Sequence, residues 1–189
     1  AKLDRYTGLY GAAIDYLDRQ VCDLADWLHA NTDRETTIVV TSDHGDEMGT
    51  GVDEGRWGHT TSSLSEGLLH VPFLVLNAPD GHEHIDESRY VSHLALREFL
   101  VGLTRDEVTD PTADRIPAER VGHSGSLATI DDKRGTTADR LLRAVYDDQY
   151  KYQWGSQESR AVYRLDTGRP NWQERTDGEF DPAEFAEFF

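Results

Sequence analysis

The sequence predicts an α/β fold: a mostly parallel sheet with flanking helices, followed by a small antiparallel sheet. Two observations predict it. Residues 5–103 run helix, strand, helix, strand, helix, the rhythm of a parallel α/β layer. Beyond residue 137 three short strand-like runs are separated by turn dipeptides, the pattern of an antiparallel meander. This gives an organisation of 1–103 for the α/β part, 104–137 for an irregular connection and 138–189 for the small antiparallel subdomain.

Each element has its own signal. Tyr10, Ile14, Leu17, Val21, Leu24 and Leu28 recur at spacings of four and three, which places one apolar stripe on a helix over 5–30. Residues 31–35 are a polar turn. Residues 36–42 are β-branched and apolar between polar neighbours, and read as a buried strand. The stretch 45–58 is rich in glycine without periodicity and reads as a loop. Residues 60–69 suit a short helix, with Leu64, Leu68 and Leu69 facing inward. Residues 71–76 form a second apolar strand, with Pro72 tolerated near its start. Residues 78–87 are a polar loop, and 91–103 read as a helix. The connection 104–137 carries Pro111 and Pro117, with a short strand expected near 121–127. The late strands are 141–146, 149–154 and 161–165, with turns at Asp147-Asp148 and Gly155-Ser156. Asp181-Pro182-Ala183-Glu184 is a helix start, with an N-cap, proline at the first helical position and glutamate at the third.

Charge narrows the partners. Nineteen basic residues stand against 36 acidic ones, a net charge of −17. Such a charge opposes binding to nucleic acid or to an anionic membrane surface. No apolar run approaches the roughly 20 residues of a membrane-spanning helix. Lysine occurs only at Lys2, Lys133 and Lys151, and 22 Asp outnumber 14 Glu. Short hydrated carboxylates at this density repel one another at low salt. At molar salt the Debye length is about 3 Å and that penalty largely disappears. We read this as a halophile's protein, archaeal by expectation, with a cytoplasm of high internal salt as the favoured compartment and export as the alternative. A single cysteine, Cys22, excludes an intramolecular disulfide and a cysteine-rich zinc site. Met48 is the only methionine, so a piece of a longer protein is expected.

The chemistry concentrates at Ser42-Asp43-His44-Gly45. In open α/β sheets ligands bind beyond the carboxyl ends of strands, and here a carboxylate and an imidazole stand together at such an end. Both suit a divalent metal, though two ligands make only part of a shell. The alternative is that Asp43 caps the following turn and His44 packs beneath the loop. Gly58-His59 lies across the glycine-rich loop, and His59 returns to the same site as ligand, acid or anion binder, or else stays in solvent. For His70, before Val71-Pro72, a hydrogen-bonded structural role is expected. Asp46, Glu47, Asp53 and Glu54 read as solvated surface in so acidic a chain.

Taken in order, three stretches resemble the C-terminal half of a sulfatase of the alkaline phosphatase superfamily. They are Val39-Val40-Thr41-Ser42-Asp43-His44-Gly45-Asp46-Glu47-Met48-Gly49, then Gly58-His59, then His70-Val71-Pro72-Phe73-Leu74-Val75. The segment from Tyr10 to Asp18 is similar to the helix those enzymes carry before their metal-binding strand. Val91-Ser92-His93-Leu94 resembles the helix that follows, with Ala95 where an Asp is usual. The runs 144–152 and 162–165 resemble the C-terminal antiparallel subdomain.

The resemblance implies an alkaline-phosphatase-like sheet and roles for named residues. Asp43 and His44 match the adjacent pair that binds the active-site metal, with calcium first and manganese, magnesium or zinc as alternatives. His59 falls where relatives place a Lys or His that contacts the sulfate or phosphate and assists the leaving group. The family's nucleophile is a formylglycine made from Cys-x-Pro-x-Arg, or an unmodified Ser or Thr. Cys22 sits in Cys22-Asp23-Leu24-Ala25-Asp26 and is no such motif, so the nucleophile is expected outside this chain, on a missing N-terminal half of the same protein. The implied function is part of a metal-dependent hydrolase of sulfate esters, the chain alone being inactive. The alternatives are a phosphodiesterase, phosphonate hydrolase or phosphoglycerol transferase of the same superfamily, or a non-catalytic sulfatase-like binding module.

Overall fold

A computed structural model describes residues 2–49, 57–59, 63–80, 89–105, 107–121, 141–156, 159–166 and 172–189. The expected strand at 121–127 and the start of the helix at 60–69 lie largely outside them. The chain divides into two compact units, one of residues 1–42 and 72–83, the other of residues 43–71 and 84–189.

The first unit holds helix α1 (Lys2–Asn31) and a two-stranded sheet of β1 (Ile38–Thr41) and β4 (Phe73–Leu76). The pair is antiparallel, with Ile38 opposite Leu76 and Thr41 opposite Phe73. This corrects the expected parallel sheet: every sheet among the described residues is antiparallel. A parallel pair needs a crossover of a dozen or more residues, usually a helix. Between β1 and β4 the only described helix is α2 (Glu66–Leu69), and Val71-Pro72 leads the chain back in reverse. The stripe of α1 also departs from expectation. Tyr10, Val21 and Leu28 are half-buried, whereas Ile14, Leu17 and Leu24 are exposed.

The second unit is built on a five-stranded antiparallel meander in the order β5 (Arg115–Val121), β6 (Leu141–Asp147), β7 (Tyr150–Gly155), β8 (Arg160–Leu165) and β9 (Gln173–Thr176). Alternation along the strands gives the sheet two covered faces. On one face Val145, Tyr152 and Val162 lie in register across β6, β7 and β8. Over it packs a 3₁₀ helix, Pro182–Phe188, capped by the Asp181 side chain, which accepts from the Ala183 N–H. Phe185 is buried there, its ring 5.0 Å from Tyr152 and 6.0 Å from Trp154.

On the other face Leu142 and Ala144 pack with Leu64 and Leu69. This face also holds Lys151, fully buried, which donates from Nζ to Glu66 Oε1 at 2.8 Å, to the Leu64 carbonyl at 2.9 Å and to Gln173 Oε1. Tyr146 donates to the same Glu66 oxygen at 2.6 Å. A buried cation or carboxylate is tolerated only when paired and hydrogen-bonded, and these contacts meet that requirement. The sheet thereby grips α2, the element that backs the loop described next.

Near that loop run β2 (Glu47–Met48) and β3 (Trp57–Gly58), a short antiparallel ribbon. Helix α3 (Leu96–Leu103) follows a 3₁₀ turn, His93–Ala95, whose N-cap Ser92 accepts from the Leu94 N–H. Among the described residues no helix is long and apolar enough to cross a membrane.

Candidate functional site

The site grows from one loop and the ribbon that closes it. Asp43, His44 and Gly45 follow β1. Gly45 donates its N–H to the Leu68 carbonyl of α2 at 2.9 Å. A Cβ at Gly45 would lie 2.2 Å from the Gly67 carbonyl oxygen, so only glycine lets the loop come this close to α2. Two residues on, Glu47 is fully buried and accepts from the Ser65 hydroxyl at 3.0 Å, at the N-cap of α2. Gly49 has φ +70°, and a Cβ there would strike the Trp57 indole. The loop is therefore pinned to α2 at two points and bent where a side chain would not fit.

The ribbon explains how residues far apart in sequence meet. Glu47 pairs with Gly58 and Met48 with Trp57. One rung further, Asp46 comes opposite His59. Their side chains meet, with His59 Nδ1 2.9 Å from Asp46 Oδ1. The His59 ring centroid lies 4.4 Å from that of His44. One ligand-type atom from each of His44, Asp46 and His59 falls within 4.8 Å of the others.

His44 is set as a metal-binding histidine commonly is. Its Nδ1 lies 3.0 Å from the Gly45 carbonyl oxygen. A carbonyl only accepts, so this bond puts the proton on Nδ1 and the lone pair on Nε2. Metal-bound histidines characteristically give their other N–H to such an acceptor. His44 Nε2 is 3.7 Å from Asp43 Oδ2. Two ligands about 2.1 Å from one ion at a tetrahedral angle stand about 3.4 Å apart, so this pair can share a cation. Asp43 is the most open of the group, its side chain 87% exposed, and its Oδ1 accepts the His44 N–H at 3.0 Å.

Of the residues singled out in the sequence, the structure brings His44 and His59 together and sets Asp43 beside His44. Asp46 was read as solvated surface and instead faces His59. Glu47 was read the same way and is buried. Only the pairing register of the ribbon could have separated these two from the other carboxylates. His70 lies 3.9 Å from Glu66 Oε2 and edge-on to Tyr90 at 5.6 Å. Behind α2, burial and the neighbouring Glu66 carboxylate push the Tyr146 phenol well above its usual range. Burial, then Glu66 and Asp166, push Tyr90 up to about 12. Both phenols therefore stay neutral donors at ordinary pH. Cys22 is exposed on α1.

No curated protein and no solved structure matches the chain. The family model described as Sulfatase matches residues 2–106. That match covers more than half of the 189 residues and includes α1, the Asp43–Gly49 loop, His59 and α2. The sulfatases are hydrolases of ester substrates that generally use a divalent metal, and the loop carries a donor set of that kind; the chain belongs to the sulfatase family.

Proposed function

We propose that this chain supplies the metal-binding and acid–base portion of a sulfatase-type hydrolase that cleaves sulfate esters. The observation that carries the reading is the convergence of His44 with the Asp46–His59 pair on one loop. Asp43 and His44 would hold one divalent cation, calcium by family resemblance, with manganese, magnesium or zinc as alternatives. When bound, such an ion polarises the ester oxygens and lowers the nucleophile's pKa.

The remaining roles fall to the chain's own groups. The Asp46 carboxylate accepts from His59 Nδ1–H, fixing the ring and leaving Nε2 to hold or release a proton. That is the orienter-and-base arrangement of general acid–base catalysis. His59 Nε2 assists the leaving oxygen. Cys22 lies on α1 outside any Cys-x-Pro-x-Arg motif, and in this reading the nucleophile is supplied from outside these 189 residues. The domain limits of 1–103, 104–137 and 138–189 remain part of this reading, with β5 of the middle segment joined to the late sheet by its pairing with β6.

Kinetics with paired aryl sulfate and aryl phosphate esters test it, on the enzyme that carries this chain with its nucleophile and on the chain alone. The expected result is metal-dependent turnover favouring the sulfate ester in the former and background rates in the latter. A preference for the phosphate ester would move the protein to the phosphodiesterase branch of the superfamily. Robust turnover by the 189 residues alone would place the nucleophile within them and overturn the proposal.

A further inference from the structure

We infer that the same loop holds a second kind of cation site, for a zinc-class transition ion, formed by His44, Asp46 and His59. It shares only His44 with the Asp43–His44 pair and stands independently of the sulfatase reading, because it needs no ester and no residue beyond this chain.

The donor set decides the class of ion. Calcium and magnesium take oxygen ligands, whereas two imidazoles and one carboxylate suit zinc, cobalt or nickel. Three protein ligands with an open position form the usual incomplete shell of such ions. The geometry lies close to this arrangement. The three ligand-type atoms are within 4.8 Å of one another, and a tetrahedral ion asks for about 3.4 Å. The difference of roughly 1 Å or more falls to side chains that are partly exposed: 47% for His44, 24% for Asp46 and 53% for His59. Their backbone is already fixed. Asp46 and His59 are held opposite by the β2–β3 register, and His44 is followed by Gly45, which is pinned to α2. A net charge of −17 raises the local concentration of any divalent ion, which increases capture but gives no selectivity; the imidazoles do that.

Occupancy would engage both members of the Asp46–His59 pair. An ion seated on those three residues therefore inhibits the hydrolysis proposed above, a consequence that does rest on that reading.

The test is calorimetric titration of the 189-residue chain with Zn²⁺ and, separately, with Ca²⁺, in molar potassium chloride to screen the acidic surface. One Zn²⁺ should bind per chain, at least tenfold more tightly than Ca²⁺. Loss of a ligand should cost no less than the roughly 10- to 100-fold that loss of an outer-shell partner costs. Asp46→Asn and His59→Gln should each weaken Zn²⁺ to that degree. Glu98→Gln, an exposed carboxylate on α3, should leave Zn²⁺ affinity unchanged. Equal affinity for the two ions, or equal loss in Glu98→Gln, would mean diffuse binding to the acidic surface and overturn the inference. So would unchanged Zn²⁺ affinity in both Asp46→Asn and His59→Gln. These outcomes are separate from the fate of the sulfatase reading, which turns on ester hydrolysis and Asp43.

Discussion

At the scale of single residues, Gly45 shapes the site that the proposed ligands beside it would form. Its N–H is bonded to Leu68, and a Cβ would meet the backbone oxygen of Gly67 at 2.2 Å. Backbone cannot step aside as a flexible side chain can. Gly45→Ala should therefore cost about 1–3 kcal/mol, the usual penalty for overpacking a fitted contact, and should displace His44 and Asp46 together. Chemical denaturation measures the first effect and loss of metal affinity the second; unchanged values in both would show that the loop does not depend on this contact. Asp43, His44 and His59 were legible as candidates because histidines and a strand-end carboxylate stand out. Asp46 and Glu47 were not, since in a chain with 36 carboxylates residue type distinguishes nothing. What distinguishes them is tertiary: Asp46 falls opposite His59 in the ribbon register, and Glu47 is turned inward onto Ser65.

At the scale of elements, the link from sheet to site runs through α2. Lys151 on β7 and Tyr146 on β6 converge on Glu66, and α2 in turn holds Gly45 and Glu47. Lys151→Met leaves the Glu66 carboxylate buried without its cation, which should destabilise by about 3–5 kcal/mol. The double variant Glu66→Gln with Lys151→Met should recover much of that loss, because no uncompensated charge remains. Urea unfolding of the single and double variants checks this, and additive losses would contradict it. The late strands were legible from alternation and turn residues. Strand β5 was not placed correctly, because Pro117 argues against a strand interior. It is tolerated because among the described residues β5 is an edge strand, paired only with β6. The direction of β4 was likewise hidden. Periodicity identifies a strand but not its sense, and the apolar runs that suggested a parallel sheet belong to a two-stranded antiparallel pair.

At the scale of the whole molecule, charge dominates. A net −17 on 189 residues should make stability rise with screening, as the Debye length falls from about 10 Å at 0.1 M salt to about 3 Å at 1 M. Each kcal/mol of relieved repulsion raises the melting temperature of a chain this size by about 2–4 °C. Circular dichroism melts across a potassium chloride series should show a steady increase, and a flat or falling series would refute the halophile reading. The central proposal is that Asp43 and His44 hold the cation of an ester hydrolase. The most direct measurement is metal-dependent hydrolysis of an aryl sulfate by the enzyme carrying this chain, wild type against Asp43→Ala. Turnover should fall by about 10²- to 10³-fold or more, the scale of losing one preorganised electrostatic group at the reacting centre; wild-type turnover in Asp43→Ala would contradict the account.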